Sequence, residues 1–201
     1  MKHLVLTVAS LALVGFVVPA IADDDGTHHL HHHPNPDDTA SDITVSKDVT
    51  GDVVAFAPII NNDGEEIGRA DIIRANNGVL VNIAVSGLPA GKRGMHFHEV
   101  GSCDDHDHFK EAGGHIEKEK PHGFLHPEGP HAGNLPNLVV YDDGSANVEL
   151  YSNLVSVDGD VFPLLDDNGS TLMIHANIDD HVTQPIGGSG ARIACGVIQA
   201  K

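Results

Sequence analysis

The amino-acid sequence predicts an all-β domain, a sandwich or barrel of about eight short strands with two long loops. From Val53 onward, short apolar and β-branched runs alternate with turn residues. Asx-Gly pairs are the strongest short hairpin signals, and three of those in the sequence join neighbouring runs through a short turn, at Asp63-Gly64, Asn77-Gly78 and Asp143-Gly144. A helical period of apolar residues is not convincing anywhere in this part of the sequence. Together these observations favour a compact β domain over a helical or mixed one.

The individual strands are predicted from apolar runs bounded by turn residues. In chain order the runs are VVAFAPII, ADIIRA, VLVNIAVSGL, a short strand around HFH, LVVY, ANVELY, TLMIHA and RIACGVI. Two stretches interrupt this pattern, Gly101–Pro136 and Asn177–Gly190. Loops of that length inside a compact domain are usually functional, or are held in place by metal or a disulfide. We therefore expect the functional site in these two loops.

The first 48 residues differ from the rest of the chain. An export signal is predicted over residues 1–22. It begins with the positive charge of Lys2, continues as an apolar stretch from Leu4 to Ile21, and ends in a small-x-small cleavage pattern at Ala22. A membrane anchor is the alternative, although the apolar run is short for a span. Residues 23–48 hold many histidines and few apolar residues, which predicts a flexible tail, with an expression tag as the alternative. The folded domain is then expected at residues 49–201.

Composition excludes some partners. The formal charge is −18, which argues against a nucleic acid or an anionic membrane surface as partner.

Both cysteines, Cys103 and Cys195, lie in the predicted mature chain. In an oxidising compartment an even count favours one disulfide, and two separate buried thiols remain the alternative. The sixteen histidines are too many for chance, so their positions carry the information.

Four histidines form a pattern that suits a metal. His96 and His98 lie two apart on a predicted strand, so both imidazoles project from one face. His115 follows two glycines, and His175 lies inside the apolar run TLMIHA. Each has a simpler interpretation, a surface pair for HxH and a hydrogen-bonded core residue for His175. Four imidazoles from strands and loops would suit copper.

Five sequence blocks, HFHEVGSC, GGH, GPHAGNLPN, TLMIHA and GARIACGVI, closely resemble bacterial copper/zinc superoxide dismutases in order and separation. The resemblance covers roughly Val53 to Ile198 and implies an antiparallel Greek-key sandwich or flattened barrel. It implies copper ligands at His96, His98, His115 and His175, with His115 bridging to zinc. It implies zinc ligands at His115, His122, His131 and position 134, where Asn134 replaces the aspartate of the family.

The resemblance also implies roles for residues that are not ligands. Asp179 would link a copper histidine to a zinc histidine through hydrogen bonds, although the adjacent Asp180 could serve instead. Arg192 would dock an anion beside copper, and His115 would take part in catalysis by releasing copper and accepting a proton. Cys103 and Cys195 would form the intrasubunit disulfide. The other histidines of the domain, His106, His108, His126 and His181, match no ligand position.

The function implied is dismutation of superoxide, with copper and zinc as cofactors. We expect an exported, periplasmic or extracellular protein with no membrane span in its mature form, and the sequence leaves monomer and homodimer both open. The histidine-rich tail and Asn134 keep a second hypothesis open, a copper or zinc binding protein without turnover. A dismutase-like domain that has lost its metals is disfavoured, because all four copper positions are filled.

Overall fold

The computed structural model describes residues 51–117 and 119–201, so the predicted signal and tail lie outside the described residues. Within these ranges the chain forms ten strands and one short 3-10 turn, Lys110–Ala112. The strands are β1 Val53–Asn61, β2 Glu66–Ala75, β3 Gly78–Val85, β4 Gly91–Arg93, β5 Met95–His98, β6 Leu138–Val140, β7 Ala146–Ser152, β8 Thr171–His175, β9 Arg192–Val197 and β10 Gln199–Ala200. None of the described elements is an apolar helix of membrane-spanning length.

Strand pairing is antiparallel throughout and confirms the predicted fold class. Eight strands form one curled sheet in the order β5-β8-β9-β1-β2-β3-β7, with β10 also pairing with β1. The remaining two, β4 and β6, pair with each other. Strands β1 to β3 follow one another as hairpins, whereas β7 returns to β3 and β9 returns to β1 from far along the chain. These long returns are the Greek-key feature that brings the two long loops to the same region.

The three Asx-Gly pairs lie at or beside turns. Gly64 has a φ of 77° in the turn between β1 and β2, where glycine carries no steric penalty. Asp143-Gly144 closes the turn between β6 and β7, in which the Tyr141 N–H donates to the Ser145 carbonyl at 2.8 Å. The prediction for Asn77-Gly78 is shifted by one residue. The turn consists of residues 76 and 77, and Gly78 pairs with Ala75 as the first residue of β3.

The main core lies on the inner face of the sheet. Ala55, Ala57 and Ile59 of β1 are fully buried, and the residues between them are only partly buried, as the strand period requires. Strand β8 is buried along its whole length, which explains why TLMIH reads as a continuous apolar run with one histidine. Each fully buried leucine, isoleucine or phenylalanine contributes roughly 1.5–3 kcal/mol to folding. This core fixes β5 and β8, which carry three of the expected copper ligands.

A second, smaller core holds the first long loop against the sheet. It consists of buried residues from the loop and from β8 and β9, namely Cys103, Phe109, Ala112, Met173 and Cys195. Cys103 and Cys195 form a disulfide with an S–S distance of 2.05 Å, as the resemblance implied. The bond joins residues 92 positions apart in sequence and ties the loop to β9. The loop therefore lies packed against the sheet at both its disulfide and its 3-10 turn.

Candidate metal centre

Strand β5 presents two histidines on one face. Met95 and Phe97 point into the main core, so the alternate residues His96 and His98 point to the opposite side. Both are also buried, because residues of the two long loops cover that side. His175 ends the neighbouring strand β8, and its backbone N–H donates to the Gly94 carbonyl at 2.9 Å. Three imidazoles thus leave two adjacent antiparallel strands on the same face, opposite the main core.

The first long loop returns along β5 and brings further histidines to this face. His115 forms an isolated bridge with His98, and the Ile116 N–H donates to the Phe97 carbonyl at 3.1 Å. Further along the same loop, the Gly133 carbonyl accepts a hydrogen bond from the Phe97 N–H at 2.8 Å. A Cβ on Gly133 would lie 2.3 Å from the Phe97 carbonyl oxygen, so only glycine permits this approach.

Four buried imidazoles converge in the first cluster. His96, His98, His115 and His175 each offer a nitrogen within 4.8 Å of those of the others. One nitrogen of each ring, His96 Nδ1 and the Nε2 atoms of the other three, has no hydrogen-bond partner in the protein. Buried polar atoms are nearly always paired, because an unpaired one costs free energy. Four unpaired lone pairs at one point are the arrangement expected of a cation site.

The opposite nitrogen of three of these rings is fixed by a hydrogen bond, which sets both the tautomer and the ring orientation. The bonds run from His96 Nε2–H to Asp179 Oδ2 at 2.8 Å, from His98 Nδ1–H to the Gly113 carbonyl at 3.1 Å, and from His175 Nδ1–H to the Gly190 carbonyl at 3.2 Å. The lone pair of each ring is therefore held toward the cluster.

The rings are neutral at physiological pH. Burial, reinforced by the charges of neighbouring rings, lowers the pKa of His175 to about 3. Burial likewise places the pKa of His98 well below its ordinary value, with Arg192 adding to the effect. The pKa of His115 is lowered for the same reasons, burial first and the other rings second. Neutral imidazoles keep their lone pairs available for a metal.

A second cluster shares His115 with the first. His115, His122 and His131 offer nitrogens within 4.8 Å of one another, and the Nδ1 atoms of His115 and His131 lie 3.1 Å apart. Tetrahedral zinc with Zn–N bonds near 2.0–2.1 Å separates its nitrogen ligands by about 3.3 Å, so this spacing fits zinc. The fourth side chain is Asn134, fully buried, whose Nδ2 lies 3.2 Å from His122 Nδ1. These four side chains therefore include no carboxylate.

One carboxylate joins the two clusters. Asp179 accepts from His96 Nε2 at Oδ2 and from His122 Nε2 at Oδ1, at 2.8 and 3.0 Å. Burial alone would raise the pKa of Asp179, but the hydrogen bonds from His122, His96 and the His181 backbone together lower it well below its ordinary value. Gly187 permits the approach, since a Cβ there would lie 1.7 Å from Asp179 Oδ1. Asp180, the alternative considered from the sequence, instead binds the backbone of the following turn.

Arg192 lies beside the first cluster. Its Nη1 donates to the Phe109 carbonyl and its Nη2 to the Gly113 carbonyl at 2.6 Å, the same oxygen that accepts from His98. Only two of the five guanidinium N–H groups are used in this way. Arg192, His98, His115 and His175 line one cavity of about 620 Å³. The cavity wall thus carries a fixed cation next to three of the unpartnered nitrogens.

The surroundings of this cavity carry charges of both signs. Glu119, Glu128 and Lys120 line its outer part together with His126. Lys110 lies exposed on the 3-10 turn, and Lys118 is outside the described residues. His106 and His108 are exposed and belong to neither cluster, as the sequence indicated.

Two positioning residues were not predicted from the sequence. Gln184 accepts from the His122 N–H at 2.8 Å and donates to the His122 carbonyl at 2.9 Å, which fixes that backbone on both sides. Asn137 accepts from the Asp179 N–H and donates to the Asp179 carbonyl, both at 2.8 Å. His181, which matched no ligand, contacts Asp179 through its backbone N–H at 2.7 Å. Nothing in the local sequence marks these amides, because their partners lie in other loops.

Comparison with known proteins agrees with this arrangement. Residues 66–198 match the profile of the copper/zinc superoxide dismutase (SODC) family. A copper/zinc superoxide dismutase from Caulobacter vibrioides is 45% identical over 149 residues, covering 72% of this chain and 85% of that protein. Among solved structures, a double mutant of a superoxide dismutase-like protein from Bacillus subtilis has a TM-score of 0.68 and 38% identity, covering 71% of this chain and 95% of that one. The copper/zinc superoxide dismutase from Brucella abortus has a TM-score of 0.59 and 29% identity, covering 72% and 99%.

Proposed function

Because the chain belongs to the copper/zinc superoxide dismutase family, we propose that it disproportionates superoxide at a copper held by the first cluster. The ligand atoms would be His96 Nδ1 and the Nε2 atoms of His98, His115 and His175. The observation that carries this proposal is the convergence of four unpartnered, buried nitrogens beside a cavity that also contains Arg192.

Copper, when bound, would supply the redox chemistry by alternating between Cu(II) and Cu(I): one superoxide gives up an electron and becomes dioxygen, and a second takes up that electron and two protons and becomes hydrogen peroxide. The protein contributes placement and electrostatics. Arg192 provides a fixed positive charge for the anionic substrate at the cavity wall. The cavity of about 620 Å³ admits a small anion next to the ligand nitrogens.

His115 has a second role, because its two nitrogens face different clusters. Its Nε2 is one of the four unpartnered atoms, and its Nδ1 lies 3.1 Å from His131. Nε2 is therefore the atom of this ring at which a proton can be held next to the substrate cavity. His96 does not line the cavity, and its Nε2–H is already donated to Asp179, so its Nδ1 is left to hold the metal.

The second cluster would hold zinc through the Nδ1 atoms of His115, His122 and His131, with Asn134 beside them. Zinc is four-coordinate in such sites, and a carboxylate is a common oxygen ligand. Here the fourth side chain is a neutral amide. This supports a zinc site that is weaker than one with a carboxylate.

Export is part of the same proposal. Residues 1–22 would direct secretion, residues 23–48 would form the tail, and the mature domain would act in the periplasm or outside the cell. The Cys103–Cys195 disulfide supports an oxidising compartment. Mass spectrometry of the exported protein should give a mature chain that begins at Asp23, and retention of residues 1–22 would contradict the proposal.

The experiment that tests the function is a superoxide decay assay on the mature, copper-loaded protein. We expect decay far faster than with the same concentration of free copper. His175→Ala should lose both copper and activity, whereas the exposed His108→Ala should keep both. Tight copper binding without acceleration would instead favour the binding-protein hypothesis, for which Asn134 and the histidine-rich tail are the motivating observations.

A further inference from the structure

The two clusters differ in whether their metal-facing ring nitrogens have partners within the protein. In the first, four nitrogens have no partner in the protein. In the second, the zinc-facing nitrogens are paired: His115 Nδ1 lies 3.1 Å from His131 Nδ1, and His122 Nδ1 lies 3.2 Å from Asn134 Nδ2. In the first cluster, a bound cation would supply the partner that these four nitrogens lack. In the second cluster, the corresponding nitrogens already have partners in the protein.

Asn134 accounts for the part of this difference that concerns His122. An imidazole that donates from Nε2–H to Asp179, as His122 does, has only a lone pair at Nδ1. The amide Nδ2–H can donate to that lone pair, and the amide Oδ1 accepts from the Gly123 N–H at 3.3 Å. Both ends of the amide are therefore used. A carboxylate in this position could accept from Gly123 but could not donate to His122.

The amide is also enclosed. Asn134 is 0% exposed, and its backbone forms a bridge with His96 of β5. A side chain so placed cannot leave for solvent when a metal arrives. To ligate zinc it would have to turn its oxygen inward, which breaks both the bond to His122 and the bond from Gly123.

We propose that Asn134 is a hydrogen-bonding substitute for the second metal. It holds His122 and the Pro121–Gly123 segment in place without zinc, and it competes with zinc for His122 Nδ1. This inference rests on the proposed function in taking the second cluster as the zinc site. The protein would then keep its copper cluster ordered over a wide range of zinc supply, at the cost of weaker zinc binding.

The test is zinc affinity, measured by competition with a chromophoric chelator on copper-loaded, zinc-free protein. Asn134→Ala separates a competitor from a ligand. If the amide competes, removing it raises zinc affinity by up to about tenfold, the equivalent of one or two neutral hydrogen bonds, and an unchanged affinity would contradict the competition. If the amide oxygen is a zinc ligand, the same substitution lowers zinc affinity tenfold or more, and the proposal is overturned.

Melting temperatures of metal-free and zinc-loaded protein give the second readout. Metal-free Asn134→Asp should have a lower melting temperature than metal-free wild type, because its carboxylate would face the lone pair of His122 Nδ1 without a hydrogen to donate. Zinc should raise the melting temperature of Asn134→Asp more than it raises that of wild type. Asn76→Asp, in the exposed turn before β3, adds the same charge away from the site and should behave as wild type. Equal zinc-induced shifts in wild type and Asn134→Asp would overturn the proposal.

The outcome is independent of turnover. Copper content and superoxide decay are measured on the same samples. A wild type that binds copper without dismutation fails the proposed function, even if the zinc results are as expected. A wild type with full dismutase activity and the zinc results reversed fails only the role given to Asn134.

Discussion

Acidification should destabilise the metal-free protein through its buried histidines. The pKa of His175 is about 3 in the folded chain, against an ordinary value of 6.5. Because the folded value is the lower one, the unfolded chain takes up the proton first as pH falls. The stability that this ring contributes is therefore complete above about pH 6.5 and is lost progressively between about pH 6.5 and 3.

The magnitude follows from the number of such rings. One pH unit below its unfolded pKa, a histidine kept neutral in the folded state costs about 1.4 kcal/mol of stability. His98 and His115 are buried in the same cluster, and their pKa values are also depressed. Three rings together would cost about 4 kcal/mol at pH 5.5, a large part of the 5–15 kcal/mol that typical domains possess.

The assay is urea unfolding of metal-free protein between pH 5 and 8, from which the slope of stability against pH gives the protons taken up on unfolding. His175→Gln should reduce that uptake by about one proton near pH 5. The matched control, His108→Gln, changes an exposed ring and should leave the slope unchanged. Identical slopes for wild type and His175→Gln would show that the ring is not held neutral by the fold.

Substitutions at three further places, Arg192, the disulfide and Asp179, test the site and its support. Arg192→Glu should keep copper but slow superoxide consumption strongly, and Arg192→Lys should lie between the two; unchanged turnover of Arg192→Glu at low ionic strength would remove this residue from the active site. Replacing Cys103 and Cys195 by serine should lower the free energy of unfolding by roughly 2–5 kcal/mol, and two free thiols in the exported protein would refute the pairing. Asp179→Asn, measured by copper competition, should weaken copper binding by about 10–100-fold, since His96 loses the carboxylate that fixes its tautomer; unchanged affinity would show that the ring is oriented by packing alone.

Much of the fold could be predicted because the strand signal is local. Alternation in VVAFAPII and the Asx-Gly pairs predicted β1, β2, β3 and β7 to within a few residues. Strands β4 and β10 were missed, since runs of three and two residues cannot show a period. The uniformly apolar TLMIHA predicted a buried strand, and β8 is buried on both faces as such a run implies.

The candidate metal ligands could be proposed from the sequence for a different reason. HxH on a strand fixes the direction of two imidazoles from the strand period alone, and the resemblance supplied the other positions. The choice between Asp179 and Asp180 could not be made from sequence, because it depends on which carboxylate lies under the two clusters. The same holds for Gln184 and Asn137, whose partners are 62 and 42 residues away. Only the folded loops bring these groups together.

Net charge and local charge act at different ranges in this molecule. The chain carries −18 in total, which by itself would repel an anionic substrate. At physiological ionic strength the field of exposed charges decays within about 8 Å, so most of these acids contribute little at the cavity. Arg192 is held at the cavity wall by two carbonyls, and only a few charged side chains, Glu119, Lys120 and Glu128, line the outer part. Among the charged residues of the described cavity wall, Arg192 is held in place by hydrogen bonds and shares that wall with His98, which supports the role in substrate capture that we propose for it.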